Sequence, residues 1–291
     1  MYFCIMNSKV YTHCMKKLFV LLFACMCMVA CGSKKNEVAK EVTPQNTVLI
    51  LYYSQTGATA SVANQLKSYM DADIEEIICE EPYAGDFQAT IERCKKEHEK
   101  GEIPAIKPIK SDVQKYDIIF LGYPIWFGTY ASPIASLLRK VHFENKLIVP
   151  FCTFGSGGLE SSIENLKEQL PRSVIMDGFG IRNARLNSLQ EELDEFLKRN
   201  GYVQGEVETL QDFTVQYELS DADKNIFHQA CDDYPYSLGT PTSVSKRYRN
   251  DGTEYCFVTR NADDANAAKM SVYIKLRNEK NAKPEFTRVV R

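Results

Sequence analysis

The sequence predicts an α/β protein: a doubly wound, five-stranded parallel sheet followed by a small α+β domain. Between Thr47 and Asn200, short apolar runs alternate with amphipathic helical segments, the order expected when helices cover both faces of a parallel sheet. Beyond Gly201 the pattern changes to alternating strands and a hairpin turn, which describes an antiparallel sheet.

The elements of the first part follow in order. Thr47–Tyr53 (TVLILYY) is an apolar strand that stops at polar residues, and Ala58–Met70 places Val62, Ala63, Leu66, Tyr69 and Met70 at helical spacing. Asp73–Cys79 is a second strand and Gln88–Lys100 a charged helix. Asp117–Gly122 (DIIFLG) is a third strand, leading to a helix near Ser132–Val141. Lys146–Cys152 is a fourth, followed by a helix from Leu159 to Leu170. Ser173–Met176 starts a fifth, and Leu189–Arg199 closes this part as a helix. In such a sheet ligands bind at the carboxyl ends of the strands.

Composition sets the outer limits. The chain has 291 residues, 44% hydrophobic and 25% charged, which suits a globular protein of one large or two modest domains. A net charge of -3 gives no basic footprint for nucleic acid. Of the ten cysteines, Cys79, Cys94, Cys152, Cys231 and Cys256 lie in the body without the spacing of a disulfide framework or zinc site. Cys79 and Cys152 sit in apolar runs and are expected in the core; a Cys231–Cys256 pair is left open. The four histidines, His13, His98, His142 and His228, have no metal-ligand spacing, so no metal is expected.

The first thirty residues read as a signal peptide. Met15-Lys16-Lys17 precedes an apolar run from Leu18 to Ala30, too short for a spanning helix, and then Cys31-Gly32-Ser33. Residues 1–14 read as an upstream start with Met15 as the true one; an unusual leader is the alternative. Met28-Val29-Ala30-Cys31 resembles the lipobox of bacterial lipoproteins, with Met28 in place of the usual leucine; the resemblance implies a lipid on Cys31 and a location in the cell envelope, outside the cytoplasm. Leu22-Phe23-Ala24-Cys25 is a weaker match, and a plain secretory peptide with an incidental cysteine is the alternative. Residues 31–46 are then the lipidated cysteine and a polar tether.

Three loops follow strands at one sheet edge. Ser54-Gln55-Thr56-Gly57-Ala58-Thr59 leads directly into a helix; its hydroxyls and backbone N–H groups suit a terminal phosphate that is held and not transferred, since the Walker Gly-Lys is missing. A plain helix cap with Thr56 as the capping residue is the alternative. Tyr123-Pro124-Ile125-Trp126-Phe127-Gly128 places the single tryptophan in a loop, where a flat aromatic ligand would explain it; a loop folded back onto the core is the alternative. Thr153-Phe154-Gly155-Ser156-Gly157-Gly158 frees several N–H groups to face a ligand edge, or is an ordinary turn.

The pattern Ser54-x-Thr56-Gly57-x-Thr59 resembles the phosphate loop of flavodoxins. The stretches YDIIFLGYPIWFGTYASPIASLL and LIVPFCTFGSGGLESSIENLKEQLP are similar to the flavin-contacting segments of a flavodoxin-like reductase subfamily. The resemblance spans residues 47–200 and implies a flavodoxin-like sheet in the order 2-1-3-4-5 with FMN at its top. It assigns Ser54, Gln55, Thr56, Gly57, Ala58 and Thr59 to the phosphate. Pro124, Ile125, Trp126, Phe127 and Gly128 then lie along the ring, and Thr153, Phe154, Gly155 and Gly158 form the other wall. Glu81-Pro82-Tyr83 also matches, with Tyr83 covering the site or serving only packing, and the charged stretch Gln88–Ile106 matches as a solvated face.

Residues 205–291 lie outside the resemblance. Phe213, Val215 and Tyr217 alternate as in a strand, Asp221–Cys231 reads as a short helix, and Arg249-Asn250-Asp251-Gly252 as a turn between Ser243–Arg249 and Glu254–Arg260. Val272, Ile274 and Leu276 alternate again, and Glu285–Val290 reads as a last strand. Asp233-Tyr234-Pro235-Tyr236 is either a packed loop or a partner contact, and the region carries no functional signature of its own.

No Ser-His-Asp or Cys-His constellation points to a hydrolase. The expectation is a redox protein using FMN: an electron carrier to a partner protein or quinone, or an FMN-dependent oxidoreductase fed by NAD(P)H. A lipid-anchored binding or scaffold protein with a non-redox flavodoxin-like domain is the alternative.

Overall fold

The computed structural model describes residues 46–260 and 269–291. The expected signal segment, Cys31 and nearly all of the tether lie outside the described residues.

The first part contains β1 (Val48–Tyr52), α1 (Ala58–Tyr69), β2 (Asp73–Glu76), α2 (Phe87–Lys100), β3 (Ile118–Trp126), β4 (Thr129–Tyr130), α3 (Ser132–Lys140), β5 (Leu147–Phe154), α4 (Leu159–Gln169), β6 (Val174–Ile175), β7 (Phe179–Arg182) and α5 (Leu189–Arg199). The parallel sheet runs β2-β1-β3-β5-β6, with β7 also on β5 and β4 folded back on β3. Setting the short β4 aside, this is the expected 2-1-3-4-5 order.

Alternation along β1 shows why both faces must be covered. Leu49, Leu51 and Tyr53 enter one core, which reaches Ile134 and Leu137 of α3 and Leu166 of α4. Ile50 and Tyr52 enter the other, with Val62, Ala63 and Leu66 of α1 and Leu189, Leu193 and Leu197 of α5. Leu49, Ile50 and Leu51 are wholly buried, so a strand with apolar residues at successive positions finds a hydrophobic partner on either side.

Three expectations need correction. The third strand runs on through Pro124 and Ile125 to Trp126, because β4 supplies an antiparallel partner for Ile125 and Trp126. The fifth strand is broken: Ile148 pairs with Ile175 but Phe151 with Phe179, so the register moves by one residue opposite Pro150, which has no N–H to give a ladder. The stretch Phe213–Tyr217 is not a strand. Thr214 donates to the Lys246 carbonyl and Tyr217 to that of Val244, three residues on one side against two on the other; no continuous ladder fits, and Val215 is 89% exposed.

The second part contains α6 (Asp221–Cys231), β8 (Thr240–Arg249), β9 (Gly252–Arg260), β10 (Met270–Arg277) and β11 (Glu285–Val290). The strands form an antiparallel sheet in the order β11-β10-β9-β8, and the β8–β9 turn falls at Asn250-Asp251 as expected. A capping box starts α6: the Ser220 hydroxyl accepts from the Asp223 N–H while the Asp223 carboxylate accepts from the Ser220 N–H. Phe227 and Cys231 of α6 pack on Val244, Phe257, Val272, Ile274, Phe286 and Val289 of the sheet. Cys79 and Cys152 are buried core residues, and Cys231 and Cys256 are buried free thiols that form no bridge. Among the described residues no helix is long and apolar enough to cross a membrane.

The two sheets are joined by charge. The Arg249 guanidinium, on β8, lies 2.6 Å from Glu195 of α5 and 3.2 Å from Glu208, and within its own sheet 2.8 Å from Glu254 of β9. Arg185 lies 2.7 Å from Glu192 of α5 and 3.1 Å from Glu285 of β11. Arg277 of β10 makes a two-pronged contact with Glu191 at 2.9 Å through each nitrogen.

Candidate functional site

The carboxyl ends of β1, β3 and β5 converge on one cleft of about 420 Å³. Gln55, Ile125, Trp126, Phe127, Gly128, Phe154, Gly155 and Gly158 line it, so the structure brings together members of all three loops singled out in the sequence.

The first loop turns into α1 at Gly57, whose φ of 88° is left-handed, so the N-cap position itself offers no side chain and Thr56 does not play that part. The N-terminal amides of α1 are therefore left for other acceptors, apart from Ala60, whose N–H donates to the Ser54 hydroxyl at 3.1 Å. Thr59 is buried, its hydroxyl 2.9 Å from that of Thr153 on β5, and this pair ties the first loop to the third. Gln55 donates through its amide to the Ala84 carbonyl and the Thr90 hydroxyl, which ties the loop to α2. Buried Thr90 and Cys94 show that α2 is more than a solvated face. Ser54, Thr56, Gly57, Ala58 and Thr59 surround the α1 N-terminus without lining this cleft, and Pro124 and Thr153 lie within β3 and β5.

The second loop is a two-residue hairpin. Phe127 and Gly128 join β3 to β4 with φ of 50° and 81°, the positive pair that matches the twist of a tight hairpin. Glycine accepts this conformation readily; a phenylalanine does not, and Phe127 is also 68% exposed. Sequence and fold thus hold a large apolar ring in solvent at a backbone cost. Trp126 is half-buried and held edge-on by Tyr83, at 4.9 Å between centroids, and by Tyr53 at 5.8 Å. Tyr83 is buried behind Trp126, donates to Glu97 at 2.6 Å and lies under the Arg93 guanidinium, so its part is packing. Burial, with the Glu97 contact, pushes its hydroxyl well above the ordinary tyrosine range, so it stays a donor.

The third loop is fixed against the second. A Cβ at Gly158 would come within 2.7 Å of the Ile125 side chain, the Ser161 hydroxyl donates to the Gly128 carbonyl, and the Asn165 amide donates to Thr129 at 2.7 Å. Hairpin and glycine loop are therefore one rigid pair of walls.

Ser156 and Gly157, inside the glycine loop singled out in the sequence, line the cleft as well. Sequence reasoning missed Thr90, Ile91, Glu160 and Ser161 from the first part, and Tyr234, Tyr236, Val289, Val290 and Arg291 from the second. Of these, only Tyr234-Pro235-Tyr236 carried a signal, as an aromatic run without helical or strand period. Val289 N–H donates to the Ser156 carbonyl at 2.8 Å, and a Cβ at Gly157 would overlap the Val289 carbonyl oxygen. Arg182, at the end of β7, donates to the Gly155 carbonyl and to the Phe286 carbonyl, each at 2.8 Å. Burial lowers this guanidinium from its ordinary value, and its plane lies 4.2 Å from the Phe286 ring centroid.

A family model described as flavodoxin matches residues 47–200. The chain belongs to the flavodoxin family. Among solved structures it is similar to a candidate flavoprotein from Bacteroides eggerthii, at 28% identity, a TM-score of 0.45 and coverage of 51% of this chain and 96% of that one. A second, from Bacteroides uniformis, is 24% identical with a TM-score of 0.46, covering 51% and 98%. A flavoprotein of Lactobacillus acidophilus, solved in complex with FMN, is 23% identical with a TM-score of 0.42, covering 50% and 98%. No curated protein matches the chain.

What the flavodoxin-family site can hold follows from its donors. Neutral hydroxyls and helix amides suit a phosphate that stays in place, and no Lys or Arg lies in the first loop. An exposed aromatic on one wall and glycine amides on the other suit a flat ring with a polar rim. Among the described residues no cluster could hold a metal ion.

Proposed function

We propose that the chain binds FMN in this cleft and works as a redox protein, anchored by a lipid on Cys31 outside the bacterial cytoplasm. The observation that carries the reading is Phe127: an apolar ring, exposed and held in a left-handed conformation, beside Trp126 and across from the Gly155–Gly158 loop. Folding alone gives no return for that arrangement, whereas a flat ligand does.

FMN, when bound, would supply the capacity to accept and release electrons. Ser54, Thr56 and the α1 amides would hold its phosphate, Trp126 and Phe127 would lie along the ring, and the glycine-loop amides would meet the ring's polar rim. Nicotinamide cofactors are scarce outside the cytoplasm, so the reading favours exchange with a membrane partner, a partner protein or a quinone over hydride from NAD(P)H.

The test is an absorption spectrum of purified protein mixed with FMN and cleared of free ligand. A retained flavin band released on denaturation supports the reading, and its absence removes it. Rapid reduction of the bound flavin by NADPH would overturn the preference for a membrane or protein donor.

A further inference from the structure

The family match ends at residue 200, yet the cleft does not. Its remaining wall comes from Tyr234 and Tyr236, after α6, and from the end of β11. These residues are indexed to the glycine loop by short contacts: Val289 to Ser156, Arg288 to Glu160 at 3.3 Å, and Arg182 bridging Gly155 and Phe286. Wall and loop are thereby held as a unit.

An aromatic ladder crosses this junction. Phe286 lies edge-on to Tyr234 at 5.0 Å, and Tyr234 to Tyr236 at 5.6 Å, with the Arg182 guanidinium over the Phe286 and Tyr234 rings. Tyr236 is the free end. It is 59% exposed and lines the same cleft as the exposed Phe127. Pro235 stiffens the backbone beside it. An exposed ring on a braced support loses little freedom when a flat partner arrives, which is what makes such tyrosines good binding contacts.

We propose that the C-terminal domain is part of the ring-binding site, and that Tyr236 is the contact it makes with a planar aromatic group held in the cleft. The group is either the flavin ring or a second planar molecule held in the cleft. The proposal rests on the FMN reading for the first of these sources and on the cleft alone for the second.

The test uses the full chain as wild type, Tyr236→Ala and Tyr236→Phe. One arm titrates FMN by fluorescence quenching. The other titrates the oxidised, FMN-loaded protein with 2-methyl-1,4-naphthoquinone by calorimetry, where binding is read without electron transfer. Loss of the ring is expected to weaken one of the two by about tenfold or more, and Tyr236→Phe to restore it, since stacking needs the ring and not the hydroxyl. The arm that responds identifies the source. Unchanged affinities in both arms overturn the proposal. If wild-type protein retains no FMN, the flavin reading fails on its own, and the naphthoquinone titration of unloaded protein decides: weakening by Tyr236→Ala supports the proposal, while no binding or no change overturns it. Circular dichroism guards against misfolding, which a half-exposed side chain gives little reason to expect.

Discussion

Gly157 and Val289 approach so closely that no side chain fits between them: a Cβ at position 157 would overlap the Val289 carbonyl oxygen. The neighbouring pair, Ser156 and Val289, is joined by a backbone hydrogen bond of 2.8 Å. A single methyl group at Gly157 must therefore push β11 off the glycine loop. Gly157→Ala is expected to lower stability by ~1–3 kcal/mol, the usual cost of overpacking, and to speed proteolysis between the two parts. Urea unfolding and limited digestion read the two effects, and an unchanged midpoint would contradict the contact.

The hairpin separates binding from stability. Phe127→Gly removes the left-handed strain of a residue with a side chain, worth ~1 kcal/mol, while glycine adds chain entropy of similar size to the unfolded state. Stability should stay within about 1 kcal/mol of wild type while FMN binding weakens. Trp126→Ala removes the ring that Tyr53 and Tyr83 hold, and is expected to abolish flavin retention with the sheet intact by circular dichroism. Function that persists without flavin would favour the scaffold alternative.

Arg182 serves two carbonyls and two rings at once. Lysine keeps the charge but not the fork, so Arg182→Lys should cost roughly 1.5–3 kcal/mol, the range for hydrogen bonds to a charged group. The denaturant midpoint measures it, and a loss as small as that of a surface lysine substitution would argue against the bridge.

Acid should loosen the antiparallel sheet. Burial works to raise the Glu254 carboxyl, but the Arg249 and Arg247 hydrogen bonds outweigh it and hold the group below its ordinary value of 4.5. Because the folded value is depressed, the stabilisation is complete above about pH 4.5 and is lost as pH falls through the folded value. Asp251 is held below its ordinary value as well: burial works to raise it, and Lys275, Arg249 and Arg277 prevail. Thermal midpoints should fall below pH 4.5 in wild type, and less steeply in Glu254→Gln, which begins lower at neutral pH.

The sheet was readable because each strand states its environment in its own residues. Leu49, Ile50 and Leu51 need two cores, and the helix Leu189–Arg199 and the final strand Glu285–Val290 fall where their periods place them. The Asn250-Asp251 turn is local chemistry and was equally legible. The break opposite Pro150 and the two-point pairing of Thr214 and Tyr217 depend on a neighbour's register, which no window along one strand contains. Of the site, the hairpin and glycine loop carried motifs. The wall from Tyr234, Tyr236 and Val289 showed only an aromatic run, because it exists as a wall only where β11 docks on Ser156.

The hydrogen bond from Arg182 to Phe286 spans 104 residues of sequence. As the chain folds, the parallel sheet can assemble from its own helices before residue 286 is in place, since neighbouring elements close short loops first. The aromatic wall cannot. The pocket therefore stays open on one side until the antiparallel sheet has formed and docked. A ligand that depends on Tyr236 or Val289 is captured by the fully folded chain, not by the parallel sheet alone.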